Sequence, residues 1–222
     1  MNTPAIGQDV RVAASRLPPE AARAVEGALE DLARFLEALL AADARVHLLS
    51  RRDAAPSLLV ERHLVESLEG LALLPRPRPE RPLRLLDLGS GGGFPALPLL
   101  IVRRDVEGVL VESTGKKARI LAELVSHLGL TARVVNARFP DPARKEIQKL
   151  APFDVLTSRA VAHAGALVRA AAPGLATDAR ALLWTSADLV PRIGRTSGIH
   201  RISFHPSPGS EARGIALLER ST

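Results

Sequence analysis

The chain has 222 residues, a formal net charge of +6 and no cysteine. That length suits one domain of ordinary size with an extension, and the absence of cysteine excludes disulfides and thiolate metal sites. The longest apolar run, around Leu97 to Val102, contains Pro98 and is too short to span a bilayer, while MNTPAIGQDVRVAAS lacks the apolar segment of a signal peptide. A cytoplasmic protein that holds no metal and touches no membrane is expected.

After Pro18 and Pro19, EAARAVEGALEDLARFLEALLAA repeats apolar residues at Val25, Leu29, Leu32, Leu36 and Leu39, the spacing of an amphipathic helix with one buried face. A second helical stretch, SLLVERHLVESLEGLALL, starts at Ser57. PRPRPERP, from Pro75 to Pro82, cannot continue a helix and reads as a stiff basic connection. The expected organisation is an N-terminal helical extension over residues 1–75, a Pro/Arg linker over 76–82 and a second domain over 83–222.

Beyond the linker, strands and helices alternate. Strands are expected at Leu83, Val109, Ala132, Phe153 and Ala179, and helices from Pro95, Gly115, near Ala143 and from His163. HRISFHP and RGIALLER read as a closing antiparallel pair. Such alternation predicts an α/β fold with a mixed, mostly parallel sheet covered on both faces and a ligand at the carboxyl ends of its strands.

The most informative stretch is LRLLDLGSGGGFPALPL, Leu83 to Leu99. An apolar strand ends at Asp87, and Gly89, Gly91 and Gly93 then lead into a helix. Glycine permits positive φ and removes the Cβ that would hold a ligand away from the main chain, and Ser90 lies within the same loop. The dinucleotide fingerprint needs a third glycine where this chain has Phe94, so a dinucleotide oxidoreductase is disfavoured. The loop instead resembles the S-adenosylmethionine loop of Rossmann-like methyltransferases. EGVLVES supplies a second strand ending at Glu112, 19 residues past Gly93, where a carboxylate can accept hydrogen bonds from ribose hydroxyls.

A pI near 10.8 favours polyanionic partners. Of the 30 basic residues 26 are arginine, and they cluster at Arg51-Arg52, Arg76 to Arg84, Arg103-Arg104, with lysines at Lys116-Lys117. This pattern favours RNA binding over a merely solvated face. Aromatic residues are only 3%, so phosphate and shape contacts rather than base stacking would carry the affinity.

LDLGSGGGFPALPLLIV, LVESTGKKARILAEL, VVNARFP and FDVLTSRAVA occur in an order and spacing that resemble the bacterial 16S ribosomal RNA guanine-N7 methyltransferase family first named glucose-inhibited division protein B. RHLVESL, with Arg62, His63 and Ser67, resembles that family's R-H-x-x-D-S-L pattern. The resemblance runs from about Leu29 to the C-terminus and implies a Rossmann-like class I S-adenosylmethionine-dependent methyltransferase. The implied activity is methylation of guanine N7 in 16S ribosomal RNA, naked or within a small ribosomal subunit particle, by a monomer. The alternative is a diverged paralogue that binds S-adenosylmethionine or RNA with another target or with lost turnover.

The resemblance also implies roles. Asp87, Gly89, Ser90, Gly91, Gly93, Phe94 and Glu112 would hold the cofactor's methionine and ribose portions, and Arg138, Phe139 and Pro140 would flank its adenine. Arg159 would close the site and position the reactants without acting as a base. Arg51, Arg52, Arg62, His63 and Ser158 would face the RNA. Four departures stand out: Arg138-Phe139-Pro140 for R-A-E, Trp184-Thr185 for K-G, His47-Leu48-Leu49 for N-L-T, and Glu66 for the family's aspartate.

Overall fold

The structure, a computed structural model, describes residues 3–46, 48, 58–159, 163–199 and 201–220. The long apolar repeat forms two helices rather than one, α2 (Pro19–Glu26) and α3 (Leu29–Val46). The break falls at Gly27, where the missing side chain lowers helix propensity and the Gly27 N–H closes the turn on the Arg23 carbonyl. Leu32, Phe35, Leu36 and Leu39 are buried along one face of α3, as their spacing requires. Ahead of them lies α1 (Thr3–Ala14), which the sequence reading did not anticipate; its Ile6, Val10, Ala13 and Ala14 are buried.

The second helical stretch changes winding along its length. Leu59–Val65 is π-helical, Glu66–Leu68 is one α-helical turn and Glu69–Leu73 is a 3₁₀ turn. π segments are rare and concentrate at functional sites, and this one carries Arg62 and His63.

Seven strands form one sheet, β1 (Leu83–Leu88), β2 (Val106–Glu112), β3 (Ala132–Asn136), β4 (Phe153–Arg159), β5 (Leu175–Ser186), β6 (Arg201–Pro206) and β7 (Arg213–Glu219). Their order is β3-β2-β1-β4-β5-β7-β6, with the first five parallel and β7 antiparallel to both β5 and β6. Between them run α4 (Ala96–Val102), α5 (Gly115–His127), α6 (Ala143–Lys149), α7 (Ala164–Ala171) and α8 (Val190–Ser197).

Both sheet faces are covered, so the strands read as nearly continuous apolar runs. Leu83, Leu85, Val155, Leu182 and Trp184 share a core with the N-terminal helices, while Leu86, Leu88, Leu156 and Leu183 pack on the opposite face with Val168 and Ile193. The alternation follows from the two-residue period of a strand.

The Pro/Arg segment is tied down rather than merely stiff. Arg81 forms a two-pronged pair with Asp154 at 2.7 Å on both arms, and Arg84 N–H adds a third bond at 2.9 Å. Arg78 pairs with Asp178 at 2.7 Å. Burial alone would raise the Asp154 pKa, but the Arg81 pair outweighs it and holds the carboxyl below its ordinary 3.8. Removing Arg81 leaves the buried Asp154 carboxylate with the Arg84 N–H and with Arg78 at 3.5 Å, so Arg81→Ala should cost on the order of 2 kcal/mol in urea unfolding at pH 7, less than breaking a fully buried pair because the guanidinium is partly hydrated. The wild-type advantage should shrink as the pH falls from the ordinary aspartate value through the depressed folded one.

Candidate active site

The strand order reverses between β1 and β4, and side chains lock that crevice. Thr157 donates its hydroxyl to Asp87 at 2.6 Å, and Ser158 donates to the Leu88 carbonyl at 2.9 Å. Asp87 is only 1% exposed, and its Oδ2 has no hydrogen-bond partner. Burial, opposed by its hydroxyl hydrogen bonds, pushes its carboxyl up to about 6.

From Asp87 the chain turns over Gly89, Gly91 and Gly93, with φ of 80°, 52° and 97°. Gly89 and Ser90 both donate their N–H to the Val111 carbonyl, at 2.9 and 3.1 Å, which holds the loop against β2. At Gly93 an added Cβ would come within 2.5 Å of Leu97, so this glycine lets the helix pack. At Gly91 the nearest atom to an added Cβ is a Gly89 oxygen at 3.8 Å, leaving open space beside the main chain.

Glu112, at the end of β2, accepts the Gly91 N–H at 2.9 Å and the Thr114 N–H at 2.7 Å, one on each oxygen. Each oxygen keeps further acceptor capacity. Beside it opens a cleft of about 600 Å³ walled by Gly89, Val111, Ser113, Arg138, Phe139 and Pro140 on one side and by His163, Ala166 and Leu167 on the other. The structure thus brings Gly89, Arg138, Phe139 and Pro140 together on one cleft, while Asp87 and Ser90 are buried and Gly91, Gly93 and Glu112 are not on its wall.

Other expected residues go elsewhere. Phe94 does not wall the cleft: its ring lies 5.3 Å from Phe35 and 5.4 Å from His63, centroid to centroid, because the N-terminal helices offer it an apolar seat. The same contact carries His63 into that packing. Arg159 is also occupied within the chain; its guanidinium donates to the Arg62 and His63 carbonyls and pairs with Glu66 at 2.8 Å. It clamps the π-helical segment onto the end of β4, a partner invisible in the sequence because it lies more than 90 residues away. Ser158 lends its hydroxyl to the crevice.

The basic clusters need the same correction. Arg103 is paired with Asp105 at 2.6 Å and Arg104 with Asp31 at 2.7 Å, both at the amino edge of the sheet, away from the cleft. Arg51, Arg52, His47 and Leu49 lie outside the described residues. Among the described residues no group of three His, Asp or Glu is placed to hold a metal, and no helix is long and apolar enough to cross a membrane.

Sequence reasoning missed Ser113 and His163 on the cleft wall. Ser113 directly follows Glu112, and His163 is the described non-glycine residue with positive φ, at 61°. The family description "rRNA small subunit methyltransferase G" matches residues 28–185 of this chain. The chain belongs to that family. It is 39% identical over 145 residues to ribosomal RNA small subunit methyltransferase G of Acidiphilium cryptum, which covers 65% of this chain and 62% of that protein. Its likeness to the protein of the same name from Sorangium cellulosum is 32% over 222 residues, covering 99% of this chain and 89% of the relative. Among solved structures, a mutant of MtNAS in complex with S-adenosylmethionine superposes with a TM-score of 0.56 at 18% identity, covering 87% of this chain and 79% of that one, a likeness of fold.

Within this chain two of the departures meet. The Trp184 indole N–H donates to the Glu66 carbonyl at 2.6 Å, and its ring lies over Gly70, where a Cβ would come within 2.8 Å. Glu66 also reaches Arg213 at 3.3 Å. Together they join the N-terminal helical segment to β5 and β7.

Asp87 leaves a measurable trace in stability. Its folded pKa of about 6 lies above the ordinary 3.8, so its contribution is full below the lower value and is lost as the pH rises through the upper one. Asp87→Asn should therefore remove a decline of about 2 kcal/mol between pH 4 and pH 7, read by denaturant unfolding at each pH.

Proposed function

We propose that this chain transfers a methyl group from S-adenosylmethionine to guanine N7 of 16S ribosomal RNA. Membership of the methyltransferase G family supports the reaction, and the cleft beside the glycine loop and Glu112 is the observation that gives it a site. The residues fit the cofactor. Gly91 leaves room for a ligand against main chain, Glu112 retains acceptor capacity for ribose hydroxyls, and buried Asp87 supplies negative charge suited to a cationic ligand. Arg138, Phe139 and Pro140 would flank the adenine.

When bound, S-adenosylmethionine supplies a methyl group on a positively charged sulfur. Guanine N7 carries a lone pair and no proton, so the protein's task is to align donor and acceptor and keep water out. No general base is assigned. His63, packed on Phe94, is given no proton-transfer role. Arg159 acts as a positioning residue, through its hold on the segment that bears Arg62 and His63.

RNA contact is assigned to cations without intramolecular pairs among the described residues. Lys116 and Lys117 follow β2, Arg144 follows β3, and Arg192 follows β5, all on the carboxyl edge that bears the cleft.

Gly91→Val should weaken S-adenosylmethionine binding at least tenfold in calorimetry, whereas Gly129→Val, with a similar positive φ remote from the loop, should leave it within twofold. Undiminished affinity in Gly91→Val would place the cofactor elsewhere. Alanine at Lys116, Lys117 and Arg144 together should lower RNA affinity and reduce the slope of log affinity against log salt by about two to three. The same change at Arg103 and Arg104 should lower thermal stability and leave that slope unchanged.

A further inference from the structure

A second cavity, of about 420 Å³, lies beyond the carboxyl ends of β4 and β5, and it shares His163 and Ala166 with the cofactor cleft. Its remaining wall includes Leu183, Leu189, Arg192 and Ile193. Two features at its lip are at odds with a merely structural hollow. Leu189 is 43% exposed, one of two large apolar side chains that the described residues leave in water. Arg192 is exposed, and its side chain makes no ion pair or hydrogen bond among the described residues. The partition between cavity and cleft is His163, held in the left-handed region that a non-glycine residue rarely adopts.

We propose that this cavity receives the guanine base of the RNA, turned out of its stack. This rests on the reading that the chain methylates guanine N7, and it assigns the acceptor's seat. N7 faces the major groove, which in A-form RNA is deep and too narrow for side chains to read, so the atom is reached only on an unpaired or everted nucleotide. A base removed from its stack is held by apolar contact on its faces and by hydrogen bonds at its edge. Leu189 and Ile193 supply the first, and the volume accommodates a nucleoside. Arg192 supplies the second: one N–H donated to guanine O6 recognises the base and leaves the adjacent N7 lone pair free. Adenine, which has an amino donor at that position, would set donor against donor. Because His163 and Ala166 line both spaces, a base seated here lies next to the donor's cleft, on the same side of the crevice.

The experiment uses full-length protein with small-subunit particles lacking N7 methylation, labelled S-adenosylmethionine, and the variants Leu189→Asp, Leu189→Met and Arg192→Ala. Both altered side chains are exposed, so folding and cofactor affinity, checked by thermal melting and calorimetry, should stay at wild-type levels. Single-turnover methylation should fall at least tenfold in Leu189→Asp and Arg192→Ala and be retained in Leu189→Met. Particles containing 6-thioguanosine should photo-crosslink to the peptide bearing residues 189–196. If wild type methylates guanine N7 while Leu189→Asp and Arg192→Ala remain within twofold of it, or if the crosslink maps away from that peptide, the cavity is not the acceptor's seat. If wild type transfers no methyl group to guanine N7, the underlying reading fails and this assignment falls with it.

Discussion

The reversal of strand order between β1 and β4 is the constraint on which the rest depends. Successive parallel strands that run to opposite sides of a starting strand leave a crevice at their carboxyl ends that no connection crosses. Here the crevice is fixed by hydroxyl bonds from Thr157 and Ser158 to β1, and the glycine loop leaves β1 directly above it. The loop is pinned in turn by Val111 and Glu112 of β2. Burying the Asp87 carboxylate with one oxygen unpaired costs stability at neutral pH, a cost that makes physical sense where a cation is to be bound.

The N-terminal helices are part of this arrangement rather than an appendage. Phe35 and His63 enclose Phe94 immediately after the loop, Arg159 grips the carbonyls of the π-helical segment from the end of β4, and Trp184 reaches the same segment from β5. Three consecutive stations along the carboxyl edge are thus tied to one short stretch around Arg62 to Glu66. Movement of that stretch would be transmitted to the loop and to the ends of β4 and β5 together. The sites of sequence departure at Glu66 and Trp184 are in mutual contact, so they are read best as one altered joint and not as two independent losses.

The elements of the sheet were legible because most strands carry an apolar run and most turns a glycine or proline, and the loop was legible because its glycines need positive φ. Two helices escaped. In α1 the buried residues Ile6, Val10, Ala13 and Ala14 recur at helical spacing but are few, and in α8 Pro191 and Gly194 read as breakers while only Ile193 and Ser197 are buried. At the site, position along the chain was readable and direction was not. Phe94 follows the loop as expected, yet its ring turns to the helices because they present Phe35; Arg159 ends β4 as expected, yet acceptors from a distant segment occupy it.

Charge was legible in amount and not in availability. Arg81, Arg103 and Arg104 look like binding residues in a basic sequence, but each has an acidic partner distant in sequence or fixed by a turn. Lys116, Lys117, Arg144 and Arg192, which have no such partner, follow the carboxyl ends of β2, β3 and β5, so part of the charge lies beside the cleft. The central claim, that the chain's residues align an intact N7 lone pair with a methyl donor at this edge, is tested most directly by locating the methyl group. Small-subunit particles lacking the modification, incubated with the protein and S-adenosylmethionine, should gain 7-methylguanosine in 16S ribosomal RNA, detected by borohydride and aniline cleavage and by nucleoside mass spectrometry. A methyl group found on a ribose oxygen or on another ring atom, or none at all, would contradict the account.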